Sequence, residues 1–260
     1  MTIDNYLFDM DGTLTKSRSR INTNMLDLLR SLASQGSNKL YLVTGSDLTK
    51  VEEQIPYDAL GAIFDLVFCS NGTRVYDYSP DPDNELGSQE PELIHSVSLL
   101  DHYSQEDINH IVSVLSRLAA NTHTKYKTGT FVEWRGSQIN FSVIGRDCSL
   151  EQRENYVKWD KKSGERNKIM QKLREEFDGW GLSFRLGGQI SIDITRSGWD
   201  KSYALKHIPA NPKKCVYFGD RIDYNGNDSD VAALCGRHHQ VSGPEETEEI
   251  IRSIYLQGGK

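Results

Sequence analysis

Short apolar runs that stop abruptly at polar residues constrain the fold of this chain more than any other feature. Three of them, with the sequences YLF, KLYLV and CVYFG, end at Asp9, Thr44 and Asp220. Amphipathic helical patterns follow the first two runs, over about 23–34 and from Leu48. Short apolar runs are typical of strands buried on both faces, and strands that alternate with helices are typical of parallel α/β sheets.

The pattern changes in the middle of the chain. Residues 79–92 are rich in Pro, Gly, Ser and acidic residues, which predicts a linker. An amphipathic helix capped by Ser104 follows, and then two hairpin patterns in which apolar and polar residues alternate around glycine. We therefore predict a doubly wound parallel α/β core domain made of 1–85 and 198–260, with 86–197 inserted as an α+β domain that carries an antiparallel sheet.

Local signals predict further elements. Asp47 is placed to cap the second helix, and Asn71-Gly72 is a preferred hairpin dipeptide. A helical stretch over 150–177 contains a break near Gly164. Two more helices are predicted near the end of the chain, in the sequences WDKSYALKHI and EETEEIIRSIYL.

Charge and composition argue against several classes of function. The net charge of −7 disfavours nucleic-acid binding, which needs a basic surface. No apolar run reaches the roughly 18 residues needed to span a bilayer, and the start of the chain lacks a signal-peptide pattern. The four scattered cysteines form no C-x-x-C pair, which favours free thiols over a zinc site. We expect a cytoplasmic protein that binds neither nucleic acid nor membrane.

The polar residues that end the apolar runs predict one shared site. Asp9 and Asp11 follow the first run, Thr44 and Ser46 the second, and Asp220 the third. In parallel sheets, ligands bind just outside the carboxyl ends of the strands. One ligand site at this edge therefore explains these residues better than separate turns do.

The residue types at this edge favour phosphoryl transfer. Carboxylates at Asp9 and Asp220 suit a hard cation such as Mg²⁺, and the hydroxyls of Thr44 and Ser46 suit phosphate oxygens. Lys201, at the start of a predicted helix, is placed to hold the transferring group.

The two neighbouring aspartates can divide the chemistry. A carboxylate can form an aspartyl-phosphate, so Asp9 is the candidate nucleophile. Asp11 is the candidate general acid and base for the substrate oxygen that gains or loses the phosphoryl group.

Four segments, FDMDGTLT, VTGSD, WDKSYAL and YFGDRIDYNGND, resemble the four motifs of the haloacid dehalogenase superfamily, in order. The middle of the chain narrows the resemblance. The segments GTFVEWRGSQINFSVIGRDCSLEQR and GGQISIDITRSGWDK closely resemble the cap domain of the eukaryotic-type phosphomannomutases. The resemblance implies a haloacid dehalogenase core with an inserted cap, an Mg²⁺ cofactor, a hexose 1,6-bisphosphate activator (glucose or mannose) and a homodimer formed through the caps.

The resemblance also assigns roles to residues. The catalytic residues would be Asp9, Asp11 and Lys201. The metal ligands would be Asp9, Asp11 through its carbonyl, Asp220, Asn227 and Asp228. Besides Thr44 and Ser46, the residues that bind the hexose phosphate would be Arg18, Arg135, Arg146, Arg153, Ser191 and Asp193. Guanidinium groups bind phosphate bidentately, which agrees with the arginine positions.

Three functions follow in order of support. The first is a phosphomannomutase that interconverts mannose 1-phosphate and mannose 6-phosphate and feeds GDP-mannose synthesis. The second is a capped sugar-phosphate phosphatase. Thr44 favours it, because a threonine at this place in the second motif is more like the capped sugar phosphatases of the superfamily. The third is a non-catalytic sugar-phosphate sensor, which would not need a nucleophile.

Overall fold

The chain divides into two compact units. One unit combines Met1–Ser96 with Trp199–Lys260, and the other is Val97–Gly198. The computed structural model describes residues 5–79, 90–223 and 226–256. Most of the predicted linker, 80–89, therefore lies outside the described residues.

The strands and helices are numbered along the whole chain. The strands are β1 (Asn5–Phe8), β2 (Lys39–Val43), β3 (Leu66–Cys69), β4 (Arg74–Asp77), β5 (Glu92–Ser96), β6 (Val132–Trp134), β7 (Gln138–Ser142), β8 (Leu182–Gly187), β9 (Ser191–Arg196), β10 (Cys215–Gly219) and β11 (Arg237–Gln240). The helices are α1 (Thr23–Ala33), α2 (Leu48–Gln54), α3 (Tyr57–Ile63), α4 (Gln105–Asn121), α5 (Leu150–Ser163), α6 (Glu165–Glu176), α7 (Ser229–Leu234) and α8 (Pro244–Ile250). A 3₁₀ helix spans Lys201–Lys206.

The first unit is built on a seven-stranded sheet, as far as it is described, in the order β11-β10-β1-β2-β3-β4-β5. Its first five strands in this order run parallel, and β4 and β5 are antiparallel additions. The chain leaves β1 toward β2 on one side and returns to β10 on the other. The carboxyl end of β1 is therefore the topological switch point, where ligands bind in sheets of this kind.

Alternate residues of the central strands pack on opposite faces of this sheet. Phe8 and Leu42 belong to one buried apolar cluster, together with α1. Leu7 and Val43 belong to the other cluster, together with the 3₁₀ helix. Because both faces are covered, the strands are continuous apolar runs, and the predicted doubly wound core is confirmed.

The second unit contains the antiparallel sheet that the alternating patterns predict. Its strand order is β6-β7-β9-β8. Ile139, Phe141 and Ile192 are fully buried on one face of this sheet. The other face carries polar residues of β7 and β9, which become important below.

Most local predictions agree with the structure. Asp47 caps α2 through the N–H of Lys50, and Ser104 caps α4 in a capping box with Asp107. The chain breaks between α5 and α6 at Gly164, which has a φ of 64°. Among the described residues, no helix combines the length and the apolar character that crossing a bilayer requires.

The prediction of an ordinary helix in WDKSYALKHI was wrong, because the structure has a 3₁₀ helix there. The Asp200 side chain accepts the N–H of Ser202 at 2.9 Å, which tightens the first turn. Close packing also contributes, since a Cβ at Gly72 would lie 2.7 Å from the backbone nitrogen of Ala204. Tertiary contacts therefore outweigh the helical pattern in this segment.

The first unit extends to Ser96, whereas the boundary predicted from the sequence lies at residue 85. The reason is that β5 pairs with β4 and so joins the sheet of the first unit.

Candidate active site

The predicted polar strand ends lie side by side. Phe8, the last residue of β1, is in register with Phe218 of β10 and Leu42 of β2. The backbone N–H of Asp9 still donates to the Phe218 carbonyl at 2.9 Å. Asp9 is thus fixed by the sheet itself, and its position between Asp220 and Thr44 follows from the strand order.

Lys201 and two aspartates form a buried ion cluster. The Lys201 side chain is inaccessible to solvent, and its Nζ donates to Oδ1 of Asp9. The same Nζ donates to Oδ1 of Asp228 at 2.7 Å. One ammonium group therefore serves two buried carboxylates, and we call Asp9, Lys201 and Asp228 the buried cluster.

Asp228 is the most heavily hydrogen-bonded member of the buried cluster. Besides Lys201, its carboxylate accepts the hydroxyl of Tyr217 at 2.6 Å and the N–H of Arg221 at 3.0 Å. Tyr217 was not among the residues predicted from the sequence, since its place in a buried strand is typical of core residues. The only signal is that a buried tyrosine hydroxyl needs a polar partner.

The proton affinities in the buried cluster follow from burial and charge. Burial raises the pKa of Asp9 to about 7; Lys201 opposes this shift, and Asp228 adds to it. Burial also opposes the charge on Lys201, but Asp228 and Asp9 raise its pKa above the usual value. Lys201 therefore stays protonated, and the cluster contains two acidic groups and one basic group.

The surroundings of Asp9 fit a divalent cation. Carboxylate oxygens of Asp9, Asp220 and Asp228 lie within 4.8 Å of one another. The Oδ1 atom of Asn227 is buried and has no hydrogen-bond partner among the described residues. All of these donors are oxygens, which Mg²⁺ prefers. Because Asp228 already accepts three hydrogen bonds, its oxygens are less free to bind a cation than those of Asp9 and Asp220.

Gly12 keeps this corner open. A Cβ at Gly12 would lie 2.6 Å from Oδ2 of Asp220, and its φ of 88° favours glycine. The glycine after the two aspartates therefore allows the third carboxylate to approach.

Asp11 is oriented by two donors. Its Oδ1 accepts the backbone N–H of Arg18 at 2.9 Å and Nε2 of Gln54 at 3.4 Å. Gln54 is buried and also accepts the hydroxyl of Thr15 at 2.8 Å. Gln54 was not among the residues predicted from the sequence. Arg18 has a positive φ of 60°, and its side chain is exposed rather than bound to the buried cluster.

Thr44 and Ser46 have different surroundings. Thr44 is buried, and its hydroxyl accepts the N–H of Ser46 at 3.1 Å. Ser46 is half-buried. Thr44 therefore shapes the loop after β2, and Ser46 is the more accessible of the two predicted phosphate-binding hydroxyls.

In the second unit, a carboxylate joins two of the predicted arginines. Oε2 of Glu133 accepts from Nε and Nη2 of Arg135 at 2.8 and 2.5 Å. The same oxygen lies 3.3 Å from Nε of Arg146. Asn140 continues this chain, because it accepts from Arg146 at 2.9 Å and donates to Asp193 at 2.6 Å. We call Glu133, Arg135, Asn140, Arg146 and Asp193 the arginine network.

Glu133 and Asn140 were not among the residues predicted from the sequence. The feature that identifies them is the strand register, which pairs Glu133 with Asn140 and Asn140 with Asp193. The pKa of Asp193 is raised above its usual value, because the effect of burial exceeds the opposing effects of Asn140 and the two arginines. The network therefore holds a carboxylate beside guanidinium groups on a polar sheet face.

Two further predicted residues lie near this face. Ser191 is buried in β9, two residues before Asp193, so both side chains point to the same face. Arg153 lies in the first turn of α5 and is half-buried. Among the described residues, no hydrogen bond or ion pair joins Arg153 to the arginine network.

Comparison with known proteins assigns the chain to a family. A family model described as eukaryotic phosphomannomutase matches residues 25–257. The chain belongs to the eukaryotic phosphomannomutase family. This confirms the resemblance stated from the sequence.

Curated phosphomannomutases resemble the chain over nearly their whole length. A phosphomannomutase from Galdieria sulphuraria is 37% identical over 255 residues, which cover 96% of this chain and 93% of that protein. Phosphomannomutase 2 from Dictyostelium discoideum is 36% identical over 254 residues, with 96% of both chains covered. Members of this family are phosphotransferases of the isomerase class, and the haloacid dehalogenase superfamily is typically Mg²⁺-dependent.

Solved structures support the fold. An IMP-nucleotidase from Plasmodium falciparum matches with a TM-score of 0.64 at 16% identity, covering 97% of this chain and 68% of that one. A haloacid dehalogenase-like hydrolase from Bacteroides thetaiotaomicron matches with a TM-score of 0.59 at 14% identity, covering 97% and 100%. At such identities the likeness concerns architecture alone, and it confirms the haloacid dehalogenase fold.

Proposed function

We propose that the protein interconverts mannose 1-phosphate and mannose 6-phosphate through a phosphorylated Asp9. The observation that carries this proposal is the position of Asp9, buried at the switch point of the sheet beside Lys201. The similarity to curated phosphomannomutases over nearly the whole chain supports the choice of substrate.

The first half of the reaction forms the bisphosphate. Asp11 removes the proton from the free hydroxyl of the bound hexose monophosphate, and the hydroxyl oxygen attacks phosphorus on Asp9. The bond between phosphorus and the Asp9 oxygen breaks, which restores the carboxylate. A hexose 1,6-bisphosphate is the intermediate. The same bisphosphate, supplied as activator, would phosphorylate Asp9 before the first turnover.

The second half reverses these roles at the other phosphate. An oxygen of Asp9 attacks this phosphorus, and the bond to the sugar oxygen breaks. Asp11 returns its proton to that oxygen, so atoms and charges balance. Lys201 stays beside Asp9 throughout and stabilises the negative charge that develops on the phosphoryl oxygens.

Mg²⁺ would be held by Asp9, Asp220, Asn227 and the carbonyl of Asp11. Asp228 would instead hold Lys201. When bound, the cation would neutralise part of the charge on the transferring phosphate. Thr44 positions the loop, and Ser46 contributes a hydroxyl to the phosphate.

The arginine network would bind the phosphate that is not being transferred. A mutase must hold this second phosphate, whereas a phosphatase needs only one. Arg135 and Arg146 are the principal donors, and we include Arg153, Ser191, Asp193 and the core residue Arg18 among the groups that bind the hexose phosphate. We also propose a cytoplasmic homodimer formed through the second unit, with its product used for GDP-mannose synthesis.

One assay tests this function against the alternatives. The protein is incubated with mannose 1-phosphate, Mg²⁺ and a catalytic amount of glucose 1,6-bisphosphate, and products are followed by ³¹P NMR. We expect mannose 6-phosphate without free phosphate. Stoichiometric free phosphate would instead establish a sugar phosphatase, and the absence of both products would favour a sensor.

A further inference from the structure

The loop between β3 and β4 has an unusual backbone. Ser70, Asn71 and Gly72 have φ angles of 50°, 62° and 85°. L-residues other than glycine rarely adopt this region, and here two of them do so consecutively. Conformations of this kind cluster at active sites, where surrounding contacts maintain them.

Those contacts come from the segments that surround Asp9. The N–H groups of Ser70 and Asn71 donate to the carbonyls of Ser46 and Thr44 at 2.9 and 2.8 Å. Gly72 packs against the backbone of Ala204, inside the 3₁₀ helix that begins with Lys201. The loop therefore joins the hydroxyl loop after β2 to the helix that carries the buried lysine.

The Asn71 side chain points to the hydroxyl loop. The hydroxyl loop is Thr44, Gly45 and Ser46. The Oδ1 atom of Asn71 lies 3.2 Å from the position that a Cβ on Gly45 would take. The residue is half-buried, and its amide has no hydrogen bond to any described residue. A carboxamide offers two donor hydrogens and an acceptor, so this group is available for a ligand.

We propose that Asn71 is a substrate-binding residue whose amide N–H donates to a non-bridging oxygen of the transferring phosphoryl group. This inference rests on the proposed phosphoryl-transfer function of the same site. A neutral donor suits the position, because it stabilises phosphate without competing with Lys201 for the carboxylate of Asp9. Glycine at position 45 leaves the space that the amide occupies.

The test separates a binding role from a structural one. Asn71→Gly removes the amide but tolerates the positive φ, so its thermal midpoint should be unchanged or higher. We expect kcat/KM to fall about 10- to 100-fold, both for mannose 1-phosphate and for the hydrolysis of a small aryl phosphate. Asn71→Asp, which also tolerates this backbone, should lose at least as much, because it repels phosphate.

A matched control uses Gly36, which has a φ of 64° and no neighbour within 4 Å of a Cβ. Gly36→Asn measures the effect of exchanging asparagine and glycine in this backbone conformation away from Asp9. Its kcat/KM should equal that of the wild type.

Each outcome decides the proposal. Wild-type kcat/KM in Asn71→Gly would overturn it, and a loss confined to the sugar substrate would assign the amide to a sugar hydroxyl instead. If the wild type fails to isomerise mannose 1-phosphate, the proposed function fails separately. The weaker binding of inorganic phosphate by Asn71→Gly, measured calorimetrically with Mg²⁺, would still support the contact, and equal binding would refute it.

Discussion

The buried cluster of the first unit and the arginine network of the second differ in how far their charged side chains are exposed. In the first unit, the side chains of Lys201, Asp9 and Asp228 are 0, 6 and 0% exposed. In the second, those of Arg135, Glu133 and Arg146 are 18, 36 and 26% exposed. Buried charges are costly unless every partner is present, whereas exposed pairs contribute little to stability. We propose that the buried cluster performs the chemistry and that the arginine network selects the substrate.

The largest effect is expected at Asp9. Asp9→Asn keeps the shape of the side chain but removes the nucleophilic oxygen, so turnover should fall by on the order of 10⁴-fold or more. Steady-state kinetics with mannose 1-phosphate measures this loss. Asp58→Asn, at an exposed carboxylate in α3, is the control and should keep full activity. More than trace activity in Asp9→Asn would refute a covalent role.

Lys201→Met should combine lost activity with lost stability. Removing the ammonium group leaves Asp9 and Asp228 facing each other without a cation, which costs about 3 to 5 kcal/mol in the free energy of unfolding. We expect turnover to fall about 10³-fold. Urea unfolding and kinetics measure the two effects.

Lys16 provides the matched control for this variant, because its ion pair with Glu245 is exposed. Lys16→Met should leave the free energy of unfolding almost unchanged. Equal stability of Lys201→Met and the wild type would contradict the contrast between buried and exposed charge.

Arg146→Ala should separate binding from chemistry. It removes a predicted contact to the distal phosphate, so kcat/KM for mannose 1-phosphate should fall about 100-fold. Hydrolysis of a small aryl phosphate, which has no second phosphate, should stay within about threefold of the wild type. Arg117→Ala, on the exposed face of α4, is the control. A parallel loss on both substrates would place Arg146 in the chemical step.

Glu133→Gln should have the smallest effect. The neutral amide still accepts a hydrogen bond but holds Arg135 and Arg146 less firmly, so KM should rise about three- to tenfold with kcat nearly unchanged. A lower KM would mean instead that Glu133 competes with phosphate for the arginines.

The sequence predicted the parts of the fold that depend on local patterns. The apolar runs ending at Asp9, Thr44 and Asp220 are buried strands, and parallel pairing brings their ends together. The caps at Asp47 and Ser104 are also local, since the accepting side chain and the donating backbone N–H lie within one turn. The strands and the caps needed no knowledge of distant contacts.

Contacts between distant segments were not predictable in the same way. The short α3 and α7 and the polar edge strand β11 have weak patterns, so tertiary packing decides their structure. In the sequence Tyr217 resembles a core residue, and only the structure shows that its hydroxyl donates to Asp228. Glu133 resembles a surface residue of a solvated strand until register brings Arg146 beside it.

The fate of the phosphoryl group tests the central claim most directly. The reaction is run in ¹⁸O-enriched water with mannose 1-phosphate, Mg²⁺ and catalytic glucose 1,6-bisphosphate, and the phosphates are examined by mass spectrometry. If the group passes only between sugar and Asp9, mannose 6-phosphate forms without ¹⁸O in its phosphate group, and labelled inorganic phosphate does not accumulate. Labelled inorganic phosphate that accumulates at the rate of substrate loss would contradict the mutase.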